Sequence, residues 1–248
     1  MIKNFILIFY DDKDSTYINE NKTLRKDFQY LYSNLQKPFL RLTIKKLNYF
    51  YPNGKIHILS NKIAKFNYKN IIWHVDEQMP RNHLAKFKIY NLLKDPAMYL
   101  DTDIILNEKF PASASNCKNQ FNMFRKYESR RLENYLRDGP ISAYNAGVIW
   151  INNPSLDLQL ELEEINQNVF CNNEKLLQNN MPKNCDEFAL AYYCMKHKIT
   201  MDLDEKISKP RFQIELKDFK KYQSVHYNKF ECKLKMIKEH NKLYPAIL

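Results

Sequence analysis

Glycine is scarce in this sequence, and the scarcity excludes one kind of nucleotide site. Only Gly54, Gly139 and Gly147 occur among the 248 residues. A sugar-nucleotide pyrophosphorylase needs a glycine-rich phosphate loop directly after its first strand, and the sequence has none there. The five cysteines are odd in number and scattered without a C-x-x-C pair, so neither a zinc site nor a disulfide framework is indicated. We interpret them as thiols of a reducing compartment.

Long apolar runs and linkers are missing as well. The apolar run at residues 2–10 is interrupted by Lys3 and Asn4 and is too short to cross a bilayer. It lacks a signal-peptide cleavage pattern, so we expect a soluble, cytoplasmic chain without a transmembrane segment. No Pro/Gly/Ser-rich linker and no repeat divides the sequence. We therefore expect one domain over residues 1–248, with two halves at about 1–155 and about 156–248.

Arginine is the rarer basic residue, with 8 copies against 31 lysines in a chain of net charge +11. Asn, Ile, Tyr and Phe are also abundant, and these residues share A/T-rich codons with lysine, so genome composition explains much of the charge. No nucleic-acid-binding module is recognisable, and we predict no nucleic-acid partner. The charge is suited to attracting anionic nucleotides or to peripheral contact with a lipid surface.

Apolar strands alternate with helices in the first half of the chain, which favours a mostly parallel, three-layer α/β sheet flanked by helices. One helix, at about 39–51, ends in the turn residues Pro52-Asn53-Gly54. A second begins near Asn82, repeats apolar residues at intervals of three and stops at Pro96. Strands are predicted at residues 2–10, 55–60, 70–75, 98–106, 122–126 and 145–152. Ligands of such sheets bind at the C-terminal ends of the strands.

The run from Tyr99 to Leu106 is apolar apart from Asp101, Thr102 and Asp103. Two ionised carboxylates are costly in a core segment unless they are paired. Alternate residues of an extended chain point to the same side, so both carboxylates can converge on Mg²⁺ or Mn²⁺ together with phosphate oxygens. The alternative is that the strand ends here and both aspartates are solvated, because D-x-D alone is a frequent pattern.

Three further features accompany this motif. Lys86 lies on the preceding helix and can reach a phosphate at the strand end, although a solvated surface lysine is the simpler interpretation. The strand that opens with Asn145-Ala146-Gly147 lets a ligand approach the backbone, and asparagine binds sugar hydroxyls; a turn into a core strand is the alternative. His226 can offer a neutral imidazole to a cation, although a lone histidine is usually structural.

Taken in order, these segments resemble glycosyltransferase family 8, the family of glycogenin and of bacterial lipopolysaccharide glucosyl- and galactosyltransferases. The resemblance covers about residues 39–230. It is carried by Leu84-Ala85-Lys86-Phe87, Tyr99-Leu100-Asp101-Thr102-Asp103, Tyr144-Asn145-Ala146-Gly147-Val148, Cys185-Asp186-Glu187 and Val225-His226-Tyr227.

The resemblance implies a Rossmann-like GT-A fold that uses a UDP-sugar and Mn²⁺ (or Mg²⁺) and transfers a hexose with retention to a glycan, glycolipid or protein. Asp101, Asp103 and His226 match the metal ligands, and Asp186 and Glu187 match the catalytic pair that faces the donor sugar. The residues that match the nucleotide-sugar site are Tyr10, Asp11, Lys86, Asp101, Thr102, Asn145, Ala146 and Gly147.

Three departures from the family pattern stand out. The usual H-x-x-G-x-x-K-P-W tail is absent, and Lys229 takes the place of its phosphate-binding lysine at a shorter spacing from His226. Glu187 stands where glutamine is usual, which makes a double displacement chemically plausible beside front-face attack. Residues 12–36 resemble an insertion.

Two other functions remain open from the sequence. One is a metal-dependent sugar-phosphate or nucleotide phosphatase, in which the first aspartate of a D-x-D is the nucleophile, although that strand is typically near the N-terminus. The other is a non-enzymatic sugar- or nucleic-acid-binding protein.

Overall fold

The computed structural model describes residues 2–10, 35–66, 68–79, 83–124, 126–127, 143–153, 155–171, 186–201, 204 and 206–244. Asp11, Asn82, Cys185 and most of the insertion predicted at 12–36 lie outside the described residues. No helix in the part of the chain that the structure describes is long and apolar enough to span a membrane.

Eleven strands and five α-helices are found within these described ranges. The strands are β1 (Asn4–Phe9), β2 (Lys55–Ser60), β3 (Ile71–Val75), β4 (Ala97–Leu100), β5 (Ile104–Leu106), β6 (Phe121–Met123), β7 (Lys126–Tyr127), β8 (Ala143–Tyr144), β9 (Val148–Ile151), β10 (Lys209–Pro210) and β11 (Ser224–His226). The α-helices are α1 (Gln36–Phe50), α2 (Leu156–Ile165), α3 (Asp186–Lys196), α4 (Phe230–Lys233) and α5 (Met236–Leu243). A π-helical segment, Asn166–Cys171, follows α2 directly.

A six-stranded sheet in the order β3-β2-β1-β4-β9-β6 forms the centre of the molecule. The first four of these strands run parallel, β9 is antiparallel to β4, and β6 is antiparallel to β9. The predicted mostly parallel α/β sheet is thus confirmed. β7 and β8 form a separate antiparallel pair.

Both faces of this sheet are covered, and β1 is accordingly apolar from Phe5 to Phe9. Phe5 and Leu7 pack on one face with Leu40 and Ile44 of α1. Ile6, which points to the other face, packs against apolar residues of α2, α3 and the helix before β4. Strands buried on both faces read as continuous apolar runs, and this is the pattern of β1.

The helix predicted before β4 is present, and it is a 3₁₀-helix over His83–Asn91. The apolar residues recur strictly at intervals of three, and a helix with three residues per turn places such residues on one face. Phe87 and Tyr90 are fully buried on that face, and Ala85 and Ile89 are buried as well, so the segment is covered on more than one side.

The strand predicted at 98–106 is present as two strands, β4 and β5; its continuity is wrong, because Asp101-Thr102-Asp103 forms a turn between them. The Ile104 N–H donates to the Asp101 carbonyl at 3.3 Å, and the Thr43 hydroxyl donates to the Thr102 carbonyl at 3.0 Å. Ionised side chains favour such a turn over a buried ladder. In the same way, the strand predicted at 145–152 begins only at Val148, after a turn.

The turn carries the chain from the central sheet into a small sheet in the order β10-β11-β5. β11 runs antiparallel to β5 and pairs His226 with Ile104. The Tyr227 N–H then donates to the Asp103 carbonyl at 2.9 Å. This pairing brings His226 to the turn although more than 120 residues separate the two segments.

Candidate metal centre

Asp101, Asp103 and His226 each present one possible ligand atom, and these atoms all lie within 4.8 Å of one another. The His226 Nε2 lies 3.2 Å from Asp103 Oδ1 and 3.6 Å from Asp101 Oδ2. Asp103 and His226 are buried, while the Asp101 side chain keeps 24 % of its surface exposed. The cluster therefore has a buried floor and one partly open side.

Backbone pairing fixes the two turns that surround this cluster. The Asp101 N–H donates to the Gly147 carbonyl at 2.9 Å, so the turn before β9 lies beside the turn after β4. The cluster thus stands at the C-terminal end of a parallel strand, the edge where α/β sheets bind ligands. A side chain on Gly147 does not fit here, because an added Cβ would lie 2.6 Å from His226 Cε1.

The orientation of the His226 ring follows from Asn145. The Asn145 Oδ1 lies 3.0 Å from His226 Nδ1 and accepts the Gly147 N–H at 3.1 Å, while its Nδ2 donates to Glu187 Oε1 at 2.7 Å. These partners assign the oxygen and nitrogen of the amide. His226 Nδ1 therefore donates to Asn145, and Nε2 is the ring nitrogen that faces the two carboxylates.

Lys86 is buried beside the cluster rather than solvated. Its Nζ lies 2.6 Å from Asp186 Oδ2 and 3.3 Å from Asp101 Oδ1, and it donates to the Ala146 carbonyl at 3.1 Å. Burial alone lowers a lysine pKa, but the negative charges of Asp101 and Asp186 outweigh it and raise the pKa of Lys86 well above its usual value. The ammonium is thus permanently charged.

Lys233 is a neighbour of the cluster that the sequence analysis missed. Its Nζ lies 2.6 Å from Asp103 Oδ2. Burial favours the neutral acid, but the positive charge of Lys233 outweighs it and holds the pKa of Asp103 well below its usual range. Lys229, which was predicted instead, is exposed and places its ammonium over the Phe212 ring at 4.0 Å. The spacing of Lys233 from His226, one residue longer than in the family tail, was the available signal.

Tyr99 is a second contact that was missed. Its hydroxyl donates to Asp101 Oδ1 at 2.5 Å, and burial together with the charge of Asp101 raises the pKa of Tyr99 well above its usual value. The phenol therefore remains a hydrogen-bond donor. The signal was present in the sequence, since the two residues lie two apart at the end of a strand.

The remaining predicted residues occupy different positions around the cluster. Glu187 Oε1 accepts the Ala146 N–H at 3.2 Å in addition to the Asn145 amide, so it supports the turn before β9. Asp186 is buried in its ion pair with Lys86. Thr102 contributes its carbonyl to the turn. Tyr10 directly follows β1, and its N–H donates to the Gln36 side chain at 3.3 Å.

No protein-family model and no curated protein sequence matches the chain. Several solved structures are similar in fold. A complex of the galactosyltransferase LgtC with donor and acceptor sugar analogs matches 99% of this chain and 100% of that chain, with a TM-score of 0.62 at 13% identity. An active-site mutant of LgtC matches with a TM-score of 0.60 at 13% identity, over 99% of this chain and 100% of that chain.

The apo form of the glycosyltransferase GlyE from Streptococcus pneumoniae TIGR4 is also similar, with a TM-score of 0.58 at 13% identity. This match covers the whole of the present chain but only 64% of that chain. Similarity at such low identity shows the fold. The six-stranded sheet and its flanking helices are thus those of a GT-A fold.

Proposed function

We propose that this protein is a metal-dependent glycosyltransferase of the family 8 type, which transfers a hexose from a UDP-sugar to a glycan, glycolipid or protein with retention of configuration. The observation that carries the proposal is the convergence of Asp101, Asp103 and His226 at the strand edge of a GT-A fold. Residues 1–155 form the nucleotide-sugar half and residues 156–248 the acceptor half.

The three side chains fit a divalent cation. Two carboxylates and one imidazole form an oxygen- and nitrogen-containing donor set that suits Mn²⁺, while Mg²⁺ prefers oxygen alone. Asn145 engages Nδ1 of His226, so Nε2 is the ring nitrogen that would coordinate the cation. A cation held by Asp101, Asp103 and His226 would supply positive charge for the diphosphate of the donor and its leaving group.

The chain supplies further positive charge on both sides of the cluster. Lys86 stands beside Asp101, and Lys233 stands beside Asp103. Both ammonium groups are suited to hold phosphate oxygens, which makes Lys233, rather than Lys229, the phosphate-binding lysine that we assign. Their ion pairs with carboxylates keep them oriented before the donor arrives.

Asp186 and Glu187 have different roles in this proposal. Asp186 stabilises positive charge that develops on the donor sugar, with Lys86 holding its carboxylate in place. Glu187 holds Asn145 and the Ala146 N–H, and through them the edge that receives the sugar. Glu187 therefore positions other groups, and front-face attack is the route that this arrangement favours over double displacement.

Calorimetry with UDP tests the proposal directly. We expect UDP to bind with Mn²⁺ and much more weakly without it, and Asp103→Ala to abolish the metal-dependent part while circular dichroism remains unchanged. A donor-hydrolysis screen over UDP- and GDP-sugars then identifies the sugar, and the anomeric NMR coupling of the product reports its configuration. UDP affinity that is independent of Mn²⁺, or a β-linked product from an α-linked donor, contradicts the corresponding part of the proposal.

A further inference from the structure

The strand β3 forms one end of the central sheet and exposes apolar side chains there. Among the described residues it pairs only with β2. Ile72 is 39% exposed and Val75 is 47% exposed, on opposite faces of the strand. Proteins usually protect such edges with lysine, proline or a bulge, and the sequence Ile-Ile-Trp-His-Val contains none of these.

The hydrogen bonds to β2 show which backbone groups of β3 point outward. The Asn70 carbonyl accepts from Ile56, and the Asp76 N–H donates to Ser60. Even-numbered residues of β3 therefore direct their N–H and C=O groups at β2, because these groups alternate along a strand. The N–H and C=O groups of Ile71, Trp73 and Val75 point away from the sheet.

A second copy of β3 can form hydrogen bonds with all of these outward N–H and C=O groups in one particular register. When two β3 strands run antiparallel with Trp73 opposite Trp73 of the other copy, Ile71 lies opposite Val75. All outward backbone groups of the strand then exchange hydrogen bonds. The same register places Ile72 opposite His74 on the other face, so both exposed aliphatic side chains become covered.

Charges at the two ends of β3 select the same register. Lys69 precedes the strand, Glu77 follows it, and both are exposed. Both residues lie in the turns that flank β3, and with Trp73 at the two-fold axis Lys69 of each copy comes to the same end of the strand pair as Glu77 of the other. Opposite charges at the two ends of an antiparallel pair favour this register, and the symmetry brings them together twice.

We propose that the protein forms a two-fold symmetric dimer through antiparallel pairing of β3, which joins the two central sheets into one. The occupant of the edge is a second copy of the chain, because the charge pattern around β3 is complementary to itself. The interface is isologous, so the assembly closes at two copies.

Sedimentation analysis over a range of protein concentrations tests this proposal. We expect the unmodified chain to be a dimer. Lys69→Glu and Glu77→Lys each bring like charges to the same end of the strand pair and should raise the dimer dissociation constant about tenfold. The double variant Lys69→Glu/Glu77→Lys should restore it. Lys94→Glu, which makes the same charge change at an exposed position before β4, is the matched control.

Val75→Pro provides a second test that does not depend on charge. Its N–H points outward, so proline removes no bond to β2 but blocks pairing with another strand. We expect this variant to be monomeric with an unchanged circular dichroism spectrum. A wild-type chain that is monomeric at every concentration overturns the proposal. The proposal is also overturned if the chain is a dimer but the charge reversals and Val75→Pro change its dissociation constant no more than Lys94→Glu does.

Discussion

At the scale of single residues, Asn145 is the group on which the geometry of His226 depends. Its oxygen accepts from His226 Nδ1, and its nitrogen is fixed by Glu187. Partners of this kind fix the tautomer of a ligating histidine and commonly change metal affinity by about ten- to a hundredfold. The amide thus sets which ring nitrogen faces the carboxylates, although it offers no ligand itself.

We expect Asn145→Ala to weaken Mn²⁺ binding about tenfold or more in the absence of UDP. Calorimetry with the metal alone measures this effect without relying on activity. Asn119→Ala is the matched control, because Asn119 donates to the Thr200 carbonyl away from the cluster. Equal Mn²⁺ affinity in the two variants would show that Asn145 does not orient His226.

Lys233 and Lys229 form a natural pair for testing the phosphate site, since only the first contacts Asp103. Lys233→Met removes a charge-assisted contact, and we expect UDP affinity in the presence of Mn²⁺ to fall about tenfold. Lys229→Met should leave it nearly unchanged. If Lys229→Met weakens UDP binding more than Lys233→Met does, Lys229 is the phosphate-binding lysine.

At the scale of secondary-structure elements, the first turn of α3 carries both acidic residues of the candidate catalytic pair. Carboxylates are favoured at a helix N-terminus by its dipole. Glu187→Gln keeps an oxygen that can accept the same two N–H groups, so we expect the turnover rate to fall less than about tenfold. Asp186→Asn removes the negative charge that pairs with Lys86, and we expect the turnover rate to fall about a hundredfold or more.

Turnover measurements on both variants, with thermal unfolding as a control for folding, decide between these roles. A loss of several orders of magnitude in Glu187→Gln would indicate a nucleophile and favour double displacement. A near-normal rate in Asp186→Asn would remove the charge-stabilising role from Asp186.

The sequence predicted the elements whose pattern is local. β1, β2, β3 and α1 were located to within a few residues, because apolar runs and turn residues delimit them. The D-x-D segment was recognised as chemically special but assigned an extended backbone, since periodicity does not show that the chain changes sheets there. Lys233 was missed for a related reason: its contact with Asp103 depends on where α4 packs after β11, which is a tertiary relationship.

At the scale of the whole molecule, the excess of lysine has a consequence for stability through Lys46. This side chain of α1 is fully buried, and its Nζ lies 3.0 Å from the centre of the Tyr244 ring. Burial, assisted by repulsion from Lys220, lowers the pKa of Lys46 to about 7. The unfolded chain, with an ordinary lysine pKa, binds one more proton between about pH 7 and about pH 10.5, so this group makes stability rise with pH over that window.

Lys46→Met keeps a similar shape without the buried charge, and we expect it to raise the free energy of unfolding by about 1 to 3 kcal/mol at pH 7. The gain should shrink as pH approaches 10, because the unfolded chain then also loses the proton. Urea denaturation at both pH values measures this. Lys37→Met, at an exposed position of the same helix, serves as control, and an equal gain from both substitutions would exclude burial as the cause.

Because the chain passes from the central sheet to the small sheet between β4 and β5, the proposed metal ligands come from both sheets. Asp101 directly follows β4 of the central sheet, whereas His226 belongs to the small sheet. The small sheet is joined to the motif by the hydrogen bond from the Tyr227 N–H to the Asp103 carbonyl. A cation held by both residues would cross-link two sheets that have no shared strand. Metal binding would then stabilise the contact between the two sheets. It would also stabilise α4, which carries Lys233 and begins shortly after β11.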